Sequence, residues 1–448
     1  MAKTYRPYEP DQALLMPPAL DDWLPEGHLV YFLRDVVREL DLSAIMTVYE
    51  AEERGFPPYH PQMMVAVLLY GYCLGVTSSR KIARRLEEDV AFRVLAANNT
   101  PDFRTIAEFR KRHLAALSGL FVQVLRLCQE AGLVNLGHVA LDGTKLKANA
   151  SKHKAMSYER MEREEARLAA EVEALLGQAE ETDEREDAKY GRDKRGDEIP
   201  RELAFRESRL KKIQEAKAAL EREVREEAKK REREAGPEAN PPQDPPAKVA
   251  HPTPAPEAQR NFTDPESRIM LASGEKKTFV QGYNCQAAVD GSAQVIVAAD
   301  VTQEANDKKQ AVPLIEQVQA NTGKLPAQVS MDAGYFSEQN LQAIEALGAE
   351  AFIPPDRLEH GKPLSAAPRG RIPKGLGLRD RMRRKLQTER GRAIYARRKE
   401  TVEPVFGQIK QARGFRQFLL RGLTQVQGEW VLICTGHNLL KLWKLAPT

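Results

Sequence analysis

The spacing of apolar and polar positions changes several times along the chain. From residue 1 to about 135 apolar residues recur at helical intervals. Met63 to Leu74 (MMVAVLLYGYCL) is mostly apolar and long enough for a buried helix. Ser78 or Ser79 can cap a following helix through RKIARRLEEDVAFRVL. Asn98-Asn99-Thr100-Pro101-Asp102 is a turn cluster. Thr105-Ile106-Ala107-Glu108 fits a capping box opening a helix with Arg110, Lys111 and Arg112. Short helices, tight polar turns and basic faces suit a helix-turn-helix-like DNA-binding array; a plain helical bundle with solvated charges has the same pattern.

From Gly137 the period shortens. His138-Val139-Ala140-Leu141-Asp142 predicts a short strand ending in a carboxylate. Ser157 to about Lys230 is charged and helical, with Met161, Leu168, Val172 and Leu175, then Leu203, Leu210, Ile213, Leu220 and Val224, at near-heptad spacing. Gly191, Gly196 and Pro200 punctuate the two runs, which predicts an antiparallel helical hairpin. Eight prolines in 237–256 mark a linker.

Strand signals then return. Thr278–Val289 and Gln294–Val301 flank Asp290-Gly291, a hairpin turn dipeptide. Asn306–Ala320 predicts a helix, Ala327–Met331 a strand before Asp332, Ser337–Leu347 a helix ending at Gly348, and Ala351–Ile353 a strand. Helices over Arg390 to about Lys410 and Trp430–Leu445 complete the chain. The order predicts a mixed α/β sheet flanked by helices, with an all-α N-terminal region and a long helical insertion.

Composition narrows the class. The chain has 448 residues, 42% hydrophobic and 29% charged, which suits a soluble protein of several domains. Cys73, Cys128, Cys285 and Cys434 stand far apart, which argues against a zinc ribbon or a disulfide framework. MAKTYRPYEPDQ has no apolar stretch of signal-peptide length, and no run approaches the ~20 apolar residues of a membrane span. A cytoplasmic location without membrane contact is the expectation. The net charge is only +4, but it is unevenly spread. Residues 357–421 hold 19 Lys/Arg against 5 Asp/Glu, densest at Arg379 to Lys385, as phosphate contact requires. Residues 151–260 hold 24 against 27, the balance of a solvated surface.

Asp142 and Asp332 each follow a short apolar strand and precede a small residue. Ligands bind at strand ends of α/β sheets. Two acids on neighbouring strands gather several oxygens, which suits a hard cation such as Mg2+; a single Asp after a strand is more often a turn or cap residue. His138 reads as a strand residue rather than a ligand.

These features together resemble the DDE transposases of bacterial insertion sequences, of the insertion sequence 1182 type. The resemblance rests on Asp-Gly-Thr at 142–144, Asp-Ala-Gly-Tyr at 332–335 and YARRKETVEPVFGQIK. PDFRTIAEFRKRH, NFTDPESRIM, VQGYNCQAAVD and VIVAADVTQEANDKKQAVPLI extend it over nearly the whole chain. It implies an RNase H-like catalytic domain in which Asp142, Asp332 and Glu403 hold two divalent ions, Mg2+ or Mn2+. It implies metal-dependent phosphodiester hydrolysis at transposon ends and strand transfer, with water and then a DNA 3′-hydroxyl as nucleophiles. Double-stranded DNA, as terminal inverted repeats and target, would be the partner, bound by a homodimer or larger assembly in the nucleoid.

The resemblance implies that Tyr395, Arg398, Glu403 and Lys410 form the signature around the Glu, whose usual related pattern is Tyr, two residues, Arg, three residues, Glu, six residues, Lys. Arg398 is separated from Glu403 by four residues rather than three, and Lys399 has the expected spacing. Glu400 is a rival third acid. In an ideal helix Glu403 and Lys410 project about 20° apart, so the Lys could reach a phosphate beside the metals. Pro404 predicts a bend or a new helix after Glu403. Arg381, Arg383 and Arg384 are expected at DNA phosphates, and Arg110 and Arg112 at the end sequence. The expected domains are 1–134 for DNA binding, 135–150 with 261–448 for catalysis, and 151–260 as the insertion and linker. A nuclease or resolvase on the same fold, or a domesticated DNA-binding protein without catalysis, are the alternatives.

Overall fold

The structure, a computed structural model, describes residues 19–50, 57–190, 201–235, 252–272, 278–356, 367–368, 370, 373 and 375–445. The proline-rich stretch 237–251 and much of the basic stretch 357–374 lie outside the described residues.

Among the described residues seven α-helices come first, after a short 3-10 turn at Leu20–Trp23: α1 (Leu29–Glu39), α2 (Ser43–Glu50), α3 (Pro61–Leu74), α4 (Ser79–Glu88), α5 (Val90–Leu95), α6 (Phe103–Arg112) and α7 (Leu114–Glu130). The apolar run at 63–74 becomes α3, buried on nearly every side and ended by Gly75 at φ 75°. The helix expected across 80–95 is two helices. Asp89 adopts an extended conformation, and its Oδ1 accepts from the N–H groups of Ala91 and Phe92, so it caps a new helix. The cap before Arg110 also differs from the expected Thr105. Asp102 Oδ1 accepts from Arg104 N at 2.6 Å and Thr105 N at 3.0 Å, so α6 starts at Phe103.

The chain then forms β1 (His138–Lys147), β2 (Ala155–Ser157), α8 (Tyr158–Tyr190), α9 (Arg201–Ala235), β3 (Gln259–Asn261), β4 (Arg268–Leu271), β5 (Phe279–Asp290) and β6 (Ile296–Thr302). It continues through α10 (Ala311–Thr322), β7 (Gln328–Ser330), α11 (Glu338–Leu347), β8 (Glu350–Phe352), α12 (Leu378–Gln387), α13 (Glu389–Gly407) and α14 (Leu423–Leu445). Helices α8 and α9 pack around their own small core of Met161, Leu168, Ile213 and Leu220, closed below by Met156 and Tyr158. The heptad spacing thus has a physical outcome: the seam is apolar and the remaining faces carry the charge.

The main sheet runs β4–β5–β1–β7–β8, with β6 sharing the outer side of β5 with β4. β5 is antiparallel to β1, β4 and β6, whereas β1, β7 and β8 are mutually parallel. β1 does not stop at Asp142. Its pairing with β5 continues from Val139↔Asp290 to Lys147↔Gly282, so Asp142 is in mid-strand on that side. On the other side β7 ends at Ser330, opposite Ala140. The sheet core is joined to α3, α7 and α14 in one apolar cluster that includes Leu68, Val124, Leu141, Val289 and Trp430. Among the described residues no single helix is long and apolar enough to cross a membrane.

Candidate active site

β1 runs on past the end of β7. Ala140 pairs with Ser330, the last residue of β7; Asp142 lies two residues further along β1 and Asp332 two residues past β7, near enough that the charge of Asp332 acts on the Asp142 carboxyl. Each carboxylate is anchored by its own turn. Asp142 Oδ1 accepts from Gly143 N at 2.8 Å, and Asp332 Oδ1 accepts from Gly334 N at 2.8 Å. Burial pushes the Asp142 carboxyl up to about 6, against the pull of Arg398, and the charge of Asp332 adds to the rise. Burial raises Asp332 as well; the Gly334 N–H opposes it and the charge of Asp307 adds to it. Two carboxylates desolvated together favour a cation in their midst.

Helix α13 supplies one. Arg398, 10% exposed, donates from Nη1 to Asp142 Oδ2 at 2.9 Å, and its Nη2 lies 3.6 Å from Glu403 Oε1. Burial is the largest influence and disfavours its charge, but Asp142, Tyr395, Asp332 and Glu403 together outweigh it and hold the guanidinium above its ordinary range. The Tyr395 ring, one turn earlier, lies 5.8 Å from the guanidinium carbon. Arg398 therefore occupies the place by the acids, while Lys399 is exposed. Of the two candidate third acids, Glu403 touches Arg398. Glu400 is about 200° around an ideal helix from Arg398 and lines a separate cavity of 610 Å³ with His138, Gly291 and Arg397.

Pro404 neither ends nor restarts α13. Lacking an N–H, it leaves the Glu400 carbonyl without its helical donor, and Gln294 Nε2 donates there instead at 2.8 Å. The helix then widens into a π turn over Gln408–Ala412. Lys410 lies within this turn, so the ideal-helix angle between it and Glu403 does not carry over directly. Lys410 Nζ instead donates to Thr144 Oγ1 at 2.7 Å and to Lys145 O at 3.3 Å, tying α13 to β1.

Family comparison fits this geometry. The family model described as transposase domain (DUF772) matches residues 18–112, and that described as transposase DDE domain matches residues 250–439. The chain belongs to the DDE transposases. The pairing of the two models is consistent with the insertion sequence 1182 type. No curated protein and no solved structure matches the chain. The transposase is an enzyme of DNA cleavage and strand transfer, and its family generally uses divalent metal ions.

The donor chemistry of Asp142, Asp332 and Glu403 fits such ions: all are hard oxygens, and two are half-buried carboxylates whose charge calls for compensation. Among the described residues no three acidic, His or Cys side chains converge closely enough to hold a metal. Arg398 stands between Asp142 and Glu403 and answers their charge.

The other cations of the transposase separate by environment. Arg110 is buried and donates to Thr77 O at 2.7 Å and Ser79 Oγ at 3.3 Å. It braces the turn between α3 and α4 from inside, a placement that tells against the expected base contact. Arg112 is exposed over the Tyr49 ring. On α12, Arg381 is exposed, Arg384 is half-buried, and Arg383 pairs with Asp356 at 2.7 Å.

Sequence reasoning missed Asp307. Its Oδ1 accepts from Asn284 Nδ2 and Gln286 Nε2, both at 2.7 Å, and lies 3.7 Å from Lys145 Nζ. A signal was present: Asn284 and Gln286 are amides at alternate positions of an otherwise buried strand, so they share one face.

Proposed function

We propose that the transposase cuts and joins DNA at Asp142, Asp332 and Glu403, which hold two divalent ions, Mg2+ or Mn2+, on an RNase H-like sheet. The strand order β6–β5–β1–β7–β8, antiparallel on one side of β1 and parallel on the other, supports the fold reading. The observation that carries the site is the electrostatically coupled, half-buried pair of Asp142 and Asp332 with Arg398 answering its charge.

When bound, the ions supply Lewis-acid charge at the scissile phosphate and at the attacking and leaving oxygens. The chain's own residues bind and orient. The Gly143 and Gly334 N–H groups fix the carboxylates of Asp142 and Asp332. Arg398, stacked near Tyr395, exchanges its carboxylates for a DNA phosphate, which the guanidinium fork accepts equally well. Lys410 holds β1 against the π turn and keeps α13 at a fixed distance from the acids. Water attacks in cleavage and a DNA 3′-hydroxyl in strand transfer. The buried thiols of Cys73 and Cys128, pushed up to about 12, are unsuited to nucleophilic attack.

In the same reading, residues 1–134 bind the transposon ends, 135–150 with 261–448 form the catalytic domain, and 151–260 serve DNA or subunit contacts. Arg381, Arg383 and Arg384 meet phosphates, and Arg112 meets the end sequence. The working unit is a homodimer or larger assembly on double-stranded DNA in the cytoplasm. Labelled end DNA incubated with Mg2+ or Mn2+ tests the site. Asp142→Ala and Asp332→Ala should retain end binding and lose cleavage; wild-type cleavage by either variant removes that residue from the site.

A further inference from the structure

Side chains alternate across a strand, so Gly143 and Lys145 look to the face of the sheet opposite Asp142 and Thr144. Asn284 and Gln286 stand directly across from Lys145 and Gly143 on that second face. Asp307, just before α10, is seated there by both amides. Glycine at 143 makes the seat: a Cβ would fall 2.6 Å from Gln286 Nε2, 2.8 Å from Asp307 Oδ1 and 3.0 Å from Asn284 Oδ1.

The network returns to the candidate acids. Gln286 Oε1 accepts from the Tyr335 hydroxyl, and Tyr335 belongs to the turn opened by Asp332. A Cβ on Gly334 would lie 2.9 Å from Asp332 Oδ1 and 3.4 Å from Asp307 Oδ2, so the two carboxylates flank Gly334. Asn284 Oδ1 is buried and has no hydrogen-bond partner among the described residues, so the seat holds one acceptor more than its donors satisfy. Such a surplus of acceptors is what a cation nearby would compensate.

We propose that Asp307 is a positioning residue for the divalent-ion site: from the far face of the sheet it sets the Asp332 turn and adds a fixed negative charge beside it. The inference rests on the reading of Asp142 and Asp332 as metal ligands. Asp307→Asn is isosteric. Its Oδ1 can still accept from Asn284 and Gln286, with the new amide turned toward Gly334, so the fold is kept while the charge is lost.

Calorimetric titration of the full chain with Mn2+, without DNA, reads the effect directly. Asp307→Asn should weaken the tightest Mn2+ site by roughly 10–100-fold, the usual effect of losing a residue that supports metal ligands. Wild-type affinity in Asp307→Asn, with affinity lost in Asp142→Asn and Asp332→Asn, overturns the inference and leaves the site reading intact. Wild-type affinity in those two variants overturns the site reading itself, and this inference with it. Should Asp307→Asn fail to fold by circular dichroism, Gly143→Ala decides. It keeps every carboxylate while its Cβ would fall within 3.0 Å of Gln286, Asp307 and Asn284, so the seat must shift; weakened Mn2+ binding supports the role and unchanged binding rejects it.

Discussion

Along the α8–α9 hairpin, Arg163 and Glu159 pair at 2.9 Å with side chains 71% and 60% exposed. Beside β1, Arg398 and Asp142 pair at the same 2.9 Å, but only 10% and 18% exposed. Distance is equal and environment is not. Water screens the first pair, so it contributes little to stability. The second sits where Coulomb energy is several times larger and desolvation must be answered. The hairpin is the more charged region by count, yet the chemistry belongs where few charges are buried together.

Removing one member of the buried pair should have the largest effect on stability. Arg398→Ala leaves Asp142 desolvated without its cation and should destabilise the protein in EDTA by about 3–5 kcal/mol. Arg398→Lys should restore part of it, because a single ammonium replaces the fork. Chemical denaturation checks both; equal stability of the alanine variant and the wild type would mean that the pair is not desolvated.

Asp142 itself should show the opposite sign. Its carboxyl is raised from 3.8 to about 6, so the folded protein binds the proton more tightly than the unfolded chain. That contribution to stability is complete below pH 3.8 and is lost as pH rises through about 6. Asp142→Asn does not titrate. In EDTA its stability relative to wild type should grow across that window, by up to roughly 3 kcal/mol, and then level off. A difference that stays flat with pH would break the account of the buried carboxylate.

Arg110 offers a smaller test. Arg110→Ala strands the Thr77 carbonyl and should cost about 1–3 kcal/mol of stability, without changing the preference for end over random DNA. Arg112→Ala should keep stability and lose affinity mainly for the end sequence. Binding to both DNAs beside melting curves separates the two. Least of all, Arg163→Ala in the hairpin should leave the melting temperature and the cleavage rate unchanged; a clear loss in either would give the hairpin's charges a role that their exposure denies.

Much of this arrangement was legible in the residues. Strand β1, the helix before Gly348 and the heptad seam of α8 and α9 follow from periodicity, because burial of one face dictates them. Asp142 and Asp332 could be picked out because each ends an apolar run. The continuation of β1 past Asp142 could not, since Gly143 and Lys145 resemble a turn until β5 is seen to pair with them. Asp89 outcompeted helix continuation through a local cap, and Pro404 was tolerated because a distant Gln294 replaced the missing donor. Arg110 and Arg112 are two residues apart on one basic helix; only tertiary packing makes one a brace and leaves the other exposed. Asp307 lay in a polar stretch, and its partners come from another strand.

The identity of the third acid tests the site most directly. End-DNA cleavage in Mg2+ should be measured for Glu403→Ala and Glu400→Ala side by side, with end binding as the control. Glu403 touches Arg398, and Glu400 faces the cavity beside His138 and Gly291. Loss of cleavage in Glu403→Ala with activity kept in Glu400→Ala is the predicted result. Wild-type cleavage by Glu403→Ala with loss in Glu400→Ala would contradict the assignment and move the third acid one helical turn back along α13.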